Sequence, residues 1–220
     1  MSVINNYKKL IQHIKTTCRE CHRNYKNINI VAVSKQQEYE KIKTLYEGGH
    51  SCFGENRLDE AIFKWRKLDK EKTQLHFIGA LQSKKIKDII KNFDVIETLD
   101  TESSAEKLAL YKSRNVKIPK IYVQINIGEE KQKRGLYPSD VKQFLNICRE
   151  KYDLSISGAM CMPPINENPK KFFKDMLDIC TREKLKKISM GMSNDFKEAI
   201  ICGSNNIRIG SLLFGKREKT

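Results

Sequence analysis

The sequence contains no apolar run long enough to cross a membrane. A membrane-spanning helix needs about 20 consecutive apolar residues, and no stretch approaching that length occurs among the 220 residues. The first residues, Met1 to Lys9, also lack the apolar segment of a secretory signal. We therefore expect a soluble protein that acts in the cytoplasm.

Linker-like composition is also missing. The chain has only 5 prolines and 11 glycines, and no segment rich in proline or serine divides it. Its 39% hydrophobic content is sufficient for a core at this length. We therefore expect residues 1–220 to form a single domain.

The seven cysteines are too irregular for a disulfide framework. Their odd number and their apolar surroundings indicate reduced thiols in a cytosolic-type core. Cys18, Cys21 and His22 have the C-x-x-C-H spacing of covalent haem attachment. Because that motif lies in a lysine-rich helical pattern, we interpret the spacing as chance. A zinc site would need two more ligands, and His13 is the only nearby candidate. We expect no metal site.

Acidic residues are greatly outnumbered by basic ones. The 42 lysines and arginines against 27 acidic residues give a net charge of +15. Such a charge suits a polyanion, so a nucleic-acid-binding protein is one hypothesis. No basic block with interleaved aromatic residues is present, so we expect no specific nucleic-acid partner. A small ligand that carries phosphate would benefit from the same positive field.

Apolar periodicity predicts an α/β architecture. An amphipathic pattern over residues 1–27, from Val3 to Tyr25, predicts an extra N-terminal helix of about six turns. Short apolar runs then alternate with helical patterns eight times, which favours a closed (β/α)8 TIM barrel over an open sheet. The predicted strands are Asn29–Lys35, Ser51–Asn56, Leu75–Gly79, Asp94–Leu99, Ile118–Ile127, Leu154–Met162, Lys187–Met192 and Asn206–Gly210.

The first of these strands ends on a lysine. In Asn29–Lys35 a run of β-branched residues leads to Lys35. Many strands stop at a solvated lysine, but an amine beside an apolar strand loses its proton more easily and can attack an aldehyde. In a TIM barrel the chemistry gathers at this end of the strands. Lys35 is therefore a candidate for a covalent bond to a carbonyl ligand.

The last two strands are followed by candidate anion ligands. Ser193 follows strand seven, and Gly210 and Ser211 follow strand eight, so hydroxyls and backbone N–H groups are available for a phosphate. The alternative is that Ser193 or Asn194 simply caps the next helix. Arg208 stands between two isoleucines, which predicts that it points into the barrel mouth rather than to solvent.

A reactive lysine opposite a phosphate cradle describes a site for pyridoxal 5′-phosphate (PLP). Lys35 would form a Schiff base with the aldehyde, while Ser193, Gly210 and Ser211 hold the phosphate. Arg208 would face the pyridine nitrogen and keep it unprotonated. The ring would then be a weak electron sink.

Ordered motifs throughout the chain support this interpretation. They include Ala32–Lys35, Phe53–Arg57, His76–Gly79, Gln124–Ile127, Ser189–Phe196 and Arg208–Gly210, within a span from Val31 to Arg217. On these residues the chain resembles the YggS/PROSC family of pyridoxal phosphate homeostasis proteins, whose fold is like the barrel domain of alanine racemase.

The resemblance implies the PLP roles given above for Lys35, Ser193, Arg208, Gly210 and Ser211. It adds three pocket-lining residues: Asn56, His76 and Met190. Ser211 stands where the family more often has threonine, which preserves the hydroxyl.

The resemblance also implies a carrier rather than an enzyme. The second domain of alanine racemase, and its tyrosine base, have no counterpart in this chain, and racemisation requires two bases. We expect a protein that holds PLP and delivers it to apo-enzymes, as a monomer or weak dimer. A slow PLP-dependent amino-acid racemase is the alternative.

Overall fold

Eight short parallel strands close into a barrel. The computed structural model describes residues 2–215, so Arg217, at the end of the family resemblance, lies outside the described residues. The strands pair in chain order, and the first closes the sheet by pairing with the eighth. The predicted (β/α)8 TIM barrel is thereby confirmed. The strands are β1 Asn29–Val33, β2 Cys52–Glu55, β3 Gln74–Phe77, β4 Val95–Leu99, β5 Lys120–Ile125, β6 Ile156–Cys161, β7 Lys187–Ser189 and β8 Asn206–Ile209.

Helices follow the strands and surround the barrel. A π-helical turn, Ile147–Lys151, extends the sixth of them, and the helix after β8 has only one turn. The helices are α1 Val3–Glu20, α2 Tyr39–Glu47, α3 Leu58–Trp65, α4 Ile86–Asn92, α5 Glu102–Ser113, α6 Val141–Asn146, α7 Pro169–Arg182, α8 Phe196–Ile201 and α9 Ser211–Phe214.

The N-terminal helix is shorter than the apolar pattern predicts. α1 begins after the N-cap Ser2, whose side chain accepts a hydrogen bond from Asn5 N, and it ends at Glu20 instead of continuing to Tyr25. The chain leaves the helix because His22 has a positive φ of 54°. Tyr25 then belongs to a separate 3₁₀ turn. Tyr25 is 39% exposed, so its agreement with the helical apolar pattern does not reflect burial.

α1 is fastened to the barrel by apolar packing and by polar contacts. Leu10 and Ile14 are each 2% exposed, and burying such a side chain stabilises the fold by about 1.5–3 kcal/mol. Asn6 Nδ2 donates to Leu213 O of α9 at 2.9 Å, and Arg23, in the turn after α1, donates to Ile200 O at the end of α8. The helix therefore supports the two short helices that follow β7 and β8.

The sheet has an apolar outer face and a largely polar inner face. On β8, Ile207 and Ile209 belong to the apolar core between sheet and helices, whereas Arg208 points into the barrel. The same alternation on β1 directs Ala32 outward and Val31, the register partner of Arg208, inward. Polar side chains that enter the barrel must therefore find partners there.

Strand β4 directs an acidic residue into the barrel and is irregular immediately beside it. The register with β5 shifts between Ile96 and Leu99, and both of these residues face the outer core. Between them, Glu97 contacts interior polar groups and Thr98 Oγ1 donates to Gly79 O at 2.6 Å. Such bulges commonly re-aim a side chain near a functional site.

All seven cysteines lie in the described part of the chain, and each is a free thiol. Within residues 2–215, no helix is both long and apolar enough to span a bilayer. The same residues contain no group of three or more His, Cys, Asp or Glu side chains arranged to hold a metal ion.

Gly79 is required by a close approach of two backbone segments. A Cβ added there would lie 2.0 Å from Asn56 O, so Gly79→Ala forces the loops after β2 and β3 apart. We expect the free energy of unfolding to fall by about 3 kcal/mol, measured by urea denaturation. The control is Gly210→Ala, whose Cβ would lie 3.6 Å from its nearest contact, Val33 O. Equal effects of the two changes would contradict this account.

Candidate functional site

A cavity of about 680 Å³ opens at the carboxyl ends of the strands. Its wall comes mainly from β1, β6 and β8 and from the loops that follow β6, β7 and β8. The lining residues that carry chemistry are Lys35, Ser193, Asp195, Arg208, Gly210 and Ser211, and the apolar wall includes Val33, Ile78, Met160, Met162 and Met192.

Lys35 reaches this cavity because of strand alternation. Val31 and Val33 face the barrel interior, so the side chain of Lys35, two residues further on, continues on that side. It lies just beyond the end of β1, is half-buried and lines the cavity. An amine in this position is close to apolar walls and is still open to the mouth of the barrel.

The loops after β7 and β8 bring hydroxyls and backbone N–H groups to the same cavity. Ser193 Oγ accepts a hydrogen bond from Leu212 N at 3.3 Å, which joins the loop after β7 to the start of α9. The alternative that Ser193 or Asn194 caps α8 is wrong, because the N-cap residue is Asp195. Ser193 instead lies beside Gly210 and Ser211, where the three can surround an anion.

Arg208 is almost fully buried at the base of the cavity. It is 4% exposed; its Nη1 donates to Ser189 Oγ and its Nη2 to Cys161 O, both at 2.8 Å. Ser189 Oγ in turn donates to Glu97 Oε2 at 2.6 Å, and Arg208 Nη1 is 3.9 Å from the same oxygen. The guanidinium is therefore held by β6, β7 and β4 together.

The carboxylate of Glu97 also pairs with His76. His76 Nδ1 lies 2.5 Å from Glu97 Oε1, and Nε2 lies 3.3 Å from Gln74 Oε1. Because both ring nitrogens face acceptors, the ring is best satisfied as an imidazolium. Burial alone lowers the pKa of His76, but Cys52 and Glu97 outweigh burial and raise it to about 10.

Glu97 is ionised for the complementary reason. Burial raises the pKa of this carboxyl, but the hydrogen bond and charge of His76, together with the charge of Arg208, lower it below its ordinary value. The cluster of His76, Glu97 and Arg208, which we call the interior cluster, thus combines two cations and one anion inside the barrel.

The structure brings five of the eight predicted site residues together on the cavity: Lys35, Ser193, Arg208, Gly210 and Ser211. The other three lie elsewhere. His76 is 1% exposed in the interior cluster. It is separated from Arg208 by Glu97, the charged partner that they share. Asn56 is half-buried in the loop after β2, and its carbonyl lies against Gly79. A role for these residues in ligand contact stays a prediction.

Met190 faces away from the cavity because the preceding residue, Ser189, faces the barrel interior. The strand ends at Ser189, which uses the interior face, and Met190 is completely buried in the outer core. Met192 lines the cavity in its place.

Sequence reasoning missed Glu97 and Ser189, which hold Arg208. An acidic residue within the apolar stretch Val95–Leu99 was the available signal, since buried carboxylates are rare unless paired.

A closed parallel barrel with a lysine, an arginine and serine hydroxyls on one cavity corresponds to a known class of domain. Residues 7–218 match the family model described as alanine racemase, N-terminal domain. The chain is 31% identical to the pyridoxal phosphate homeostasis protein of Haemophilus influenzae, over 99% of this chain and 97% of that one. For the homologue of the same name in Schizosaccharomyces pombe, the identity is 37%, with coverage of 88% and 86%. The chain therefore belongs to the family of pyridoxal phosphate homeostasis proteins.

Solved structures agree with this assignment. PipY of Synechococcus elongatus, solved with PLP bound, has a TM-score of 0.82 and 27% identity, and the match covers 97% of this chain and 100% of PipY. Alanine racemase of Bartonella henselae has a TM-score of 0.76 and 15% identity over 99% of this chain and 60% of the racemase. The racemase comparison shows the shared barrel fold alone.

The raised pKa of His76 predicts a pH-dependent stability. Its ordinary value is 6.5 and its value in the folded protein is about 10, so its contribution is complete below pH 6.5 and is lost as pH rises toward 10. Relative to His76→Gln, the wild type should lose stability by at most about 1.4 kcal/mol per pH unit in this interval. Urea denaturation between pH 7 and 9 measures the difference. His13→Gln, at an exposed position on α1, should leave the wild-type slope unchanged; parallel slopes for wild type and His76→Gln would contradict the assignment.

Proposed function

We propose that this protein binds PLP as a Schiff base on Lys35 and acts in cytoplasmic PLP homeostasis and delivery, with little or no catalysis. The observation that carries the proposal is that one cavity is lined by Lys35, by Arg208 and by the candidate phosphate ligands Ser193, Gly210 and Ser211. The names of the relatives and the PLP-bound structure of PipY support the choice of ligand.

The residues present suit the parts of this cofactor. Bound PLP supplies an aldehyde that condenses with amines and a ring that can accept electrons. Lys35 offers an amine, Ser193 and Ser211 offer hydroxyls, and the Gly210 turn offers backbone N–H groups to an anion. Met160 and Val33 provide apolar surface for a planar ring.

Arg208 supports a protein that holds PLP rather than one that catalyses reactions with it. A guanidinium has donors only and remains cationic, so it favours an unprotonated pyridine nitrogen and disfavours a protonated one. Since Glu97 and Ser189 fix the guanidinium, it cannot easily move aside. A protonated ring, which stabilises carbanions best, is thereby opposed by the protein.

Access to Lys35 supports delivery. The lysine is half-buried beside an open cavity. The amine of an acceptor could therefore approach a cofactor held there and take the place of the Lys35 nitrogen. Exchange of this kind would pass the cofactor to an apo-enzyme directly or through solution. The seven free thiols fit a reducing compartment.

Replacement of Lys35 should abolish covalent attachment. Purified protein mixed with PLP should become yellow, lose the colour with borohydride and then carry a reduced adduct on Lys35 in peptide mass spectrometry. Lys35→Ala should show neither colour nor adduct, because no amine remains at the cavity wall. Lys41→Ala, on the solvent side of α2, is the matched control. An adduct on a different lysine, or none in the wild type, would overturn the proposal.

Loss of the Ser193 hydroxyl should weaken PLP binding more than loss of the Arg208 side chain. Ser193→Ala removes a charge-assisted hydrogen bond to phosphate and should weaken PLP binding about tenfold. Arg208→Ala should weaken it less, but it also leaves Glu97 and His76 in a broken cluster and should lower the melting temperature. Titration of PLP absorbance on folded protein measures both affinities. Unchanged binding in both variants would refute the assigned geometry.

The racemase alternative has a direct assay. Holoprotein incubated with single L-amino acids should form no D-enantiomer above the level given by free PLP. Repeated turnover that disappears in Lys35→Ala would replace the carrier with an enzyme.

A further inference from the structure

A second buried cluster of charges lies behind Lys35, between the sheet and α3. It consists of Glu55 at the end of β2 together with Glu60 and Lys64 on α3, and we call it the flank cluster. Glu55 is 0% exposed and Lys64 is 7% exposed, while the side chain of Glu60 is 21% exposed. None of these residues lines the cavity described above, so the proposed function gives them no role.

Lys64 binds the backbone immediately before Lys35. Its Nζ donates to Ser34 O at 2.8 Å and to Glu60 Oε1, and it lies 3.4 Å from Glu55 Oε1. An ammonium group has three N–H donors, and each has an acceptor here. Lys64 therefore joins α3 to the last residue before the reactive lysine.

Ser34 is held from its other sides as well. Its Oγ donates to Glu55 Oε1 at 2.7 Å and its backbone N donates to Gly54 O at 3.0 Å. Ser34 is 0% exposed. The residue before Lys35 is therefore immobilised by β2 and α3 together.

The residue after Lys35 is attached to the same cluster. Gln36 has a positive φ of 57°, which is unusual for a side chain with a Cβ. Its backbone N donates to Glu60 Oε1, the same oxygen that accepts from Lys64. The flank cluster thus holds the chain on both sides of Lys35.

Stability alone is a weak reason for such an arrangement. Desolvation of buried charges often exceeds their attraction, and well-packed apolar residues in their place are frequently as stable or more stable. What charged groups add is direction, because each ammonium proton requires an acceptor at a defined place and charge-assisted hydrogen bonds are strong. In this cluster, the places so defined are the backbone atoms of Ser34 and Gln36.

We propose that Lys64, with Glu55 and Glu60, is a positioning device that fixes the backbone at Lys35 so that its amine is presented to a bound aldehyde. This inference rests on the proposed function. In the step concerned, the Lys35 nitrogen forms a C=N bond to the aldehyde carbon, and the carbonyl oxygen leaves as water with both protons of the neutral amine. Small errors in the placement of a reacting group slow such steps strongly.

The test separates covalent attachment from ligand binding. Pyridoxine 5′-phosphate carries the ring and the phosphate but has an alcohol where PLP has its aldehyde, so its affinity reports the cavity without the covalent step. The first variant is the double change Glu55→Gln with Lys64→Met, which removes the two most buried charges together and leaves Glu60, 21% exposed, with Gln36 N and solvent. The second is Glu60→Ala, at the most exposed member of the cluster, which should fold even if the first does not.

In both variants, Schiff-base formation measured by stopped-flow absorbance should be slowed roughly tenfold or more. The fraction of Lys35 trapped by borohydride after a short exposure to PLP should fall in parallel. Affinity for pyridoxine 5′-phosphate should change by less than about twofold. Lys43→Met, which removes the exposed i,i+4 pair with Glu47 on α2, is the matched control and should behave as wild type.

Each other result has a definite meaning. Normal rates in a folded Glu60→Ala variant would overturn the positioning role while the proposed function stands. Equal losses of attachment rate and of analogue affinity would also overturn it, because the cluster would then support the whole cavity. Absence of any adduct on Lys35 in the wild type would remove the proposed function and this inference together.

Discussion

The carboxylate of Glu97 is the interaction on which the barrel interior depends. It receives the hydroxyl of Ser189 on one oxygen and the ring of His76 on the other, and it lies 3.9 Å from Arg208. Without an anion at this point, a guanidinium and an imidazolium would be buried with no counter-charge, at a cost of several kcal/mol. Strand alternation after the outward-facing Ile96 directs this carboxylate to the interior, and the bulge that follows turns Leu99 back to the outer core.

The two charged clusters lie on opposite faces of the sheet and act on different parts of the cavity. The interior cluster holds the side chain of Arg208 at the base, and the flank cluster holds the backbone around Lys35 at the rim. Strand alternation explains how both can lie so near the end of β1. Val33 and Lys35 face inward, whereas Ala32 and Ser34 face the helices. A cavity wall fixed from both sides in this way has little freedom to rearrange before a ligand arrives, which is the condition for preorganised binding.

Periodicity in the sequence was sufficient for the barrel and for most of the cavity. The alternation of Ile207, Arg208 and Ile209 placed Arg208 inside, and the order of strands placed Lys35 and Ser193 at one end. However, the position of a residue along a strand did not reveal which side chains line the cavity or pair with each other. Met190 was expected in the pocket, but Ser189 takes the interior face of β7, so strand alternation turns Met190 into the outer core. The partners of Arg208 come from β4, β6 and β7, far apart in sequence, and Lys64 reads as an ordinary helix lysine until the fold brings it to Ser34. Such pairings depend on tertiary packing, so no local pattern encodes them.

The charge balance of the interior cluster bears on why the protein is proposed to hold PLP rather than to catalyse reactions with it. An isolated Arg208–Glu97 pair would be neutral overall and would exert little field on a ring above it. Protonation of His76, which both of its acceptors favour, neutralises Glu97 and leaves the positive charge of Arg208 uncompensated toward the cavity. A cation there attracts a phosphate ligand and opposes a proton on a pyridine nitrogen at the same time. His76 therefore bears on the proposed function through Glu97, because its charge determines how far the positive charge of Arg208 is compensated.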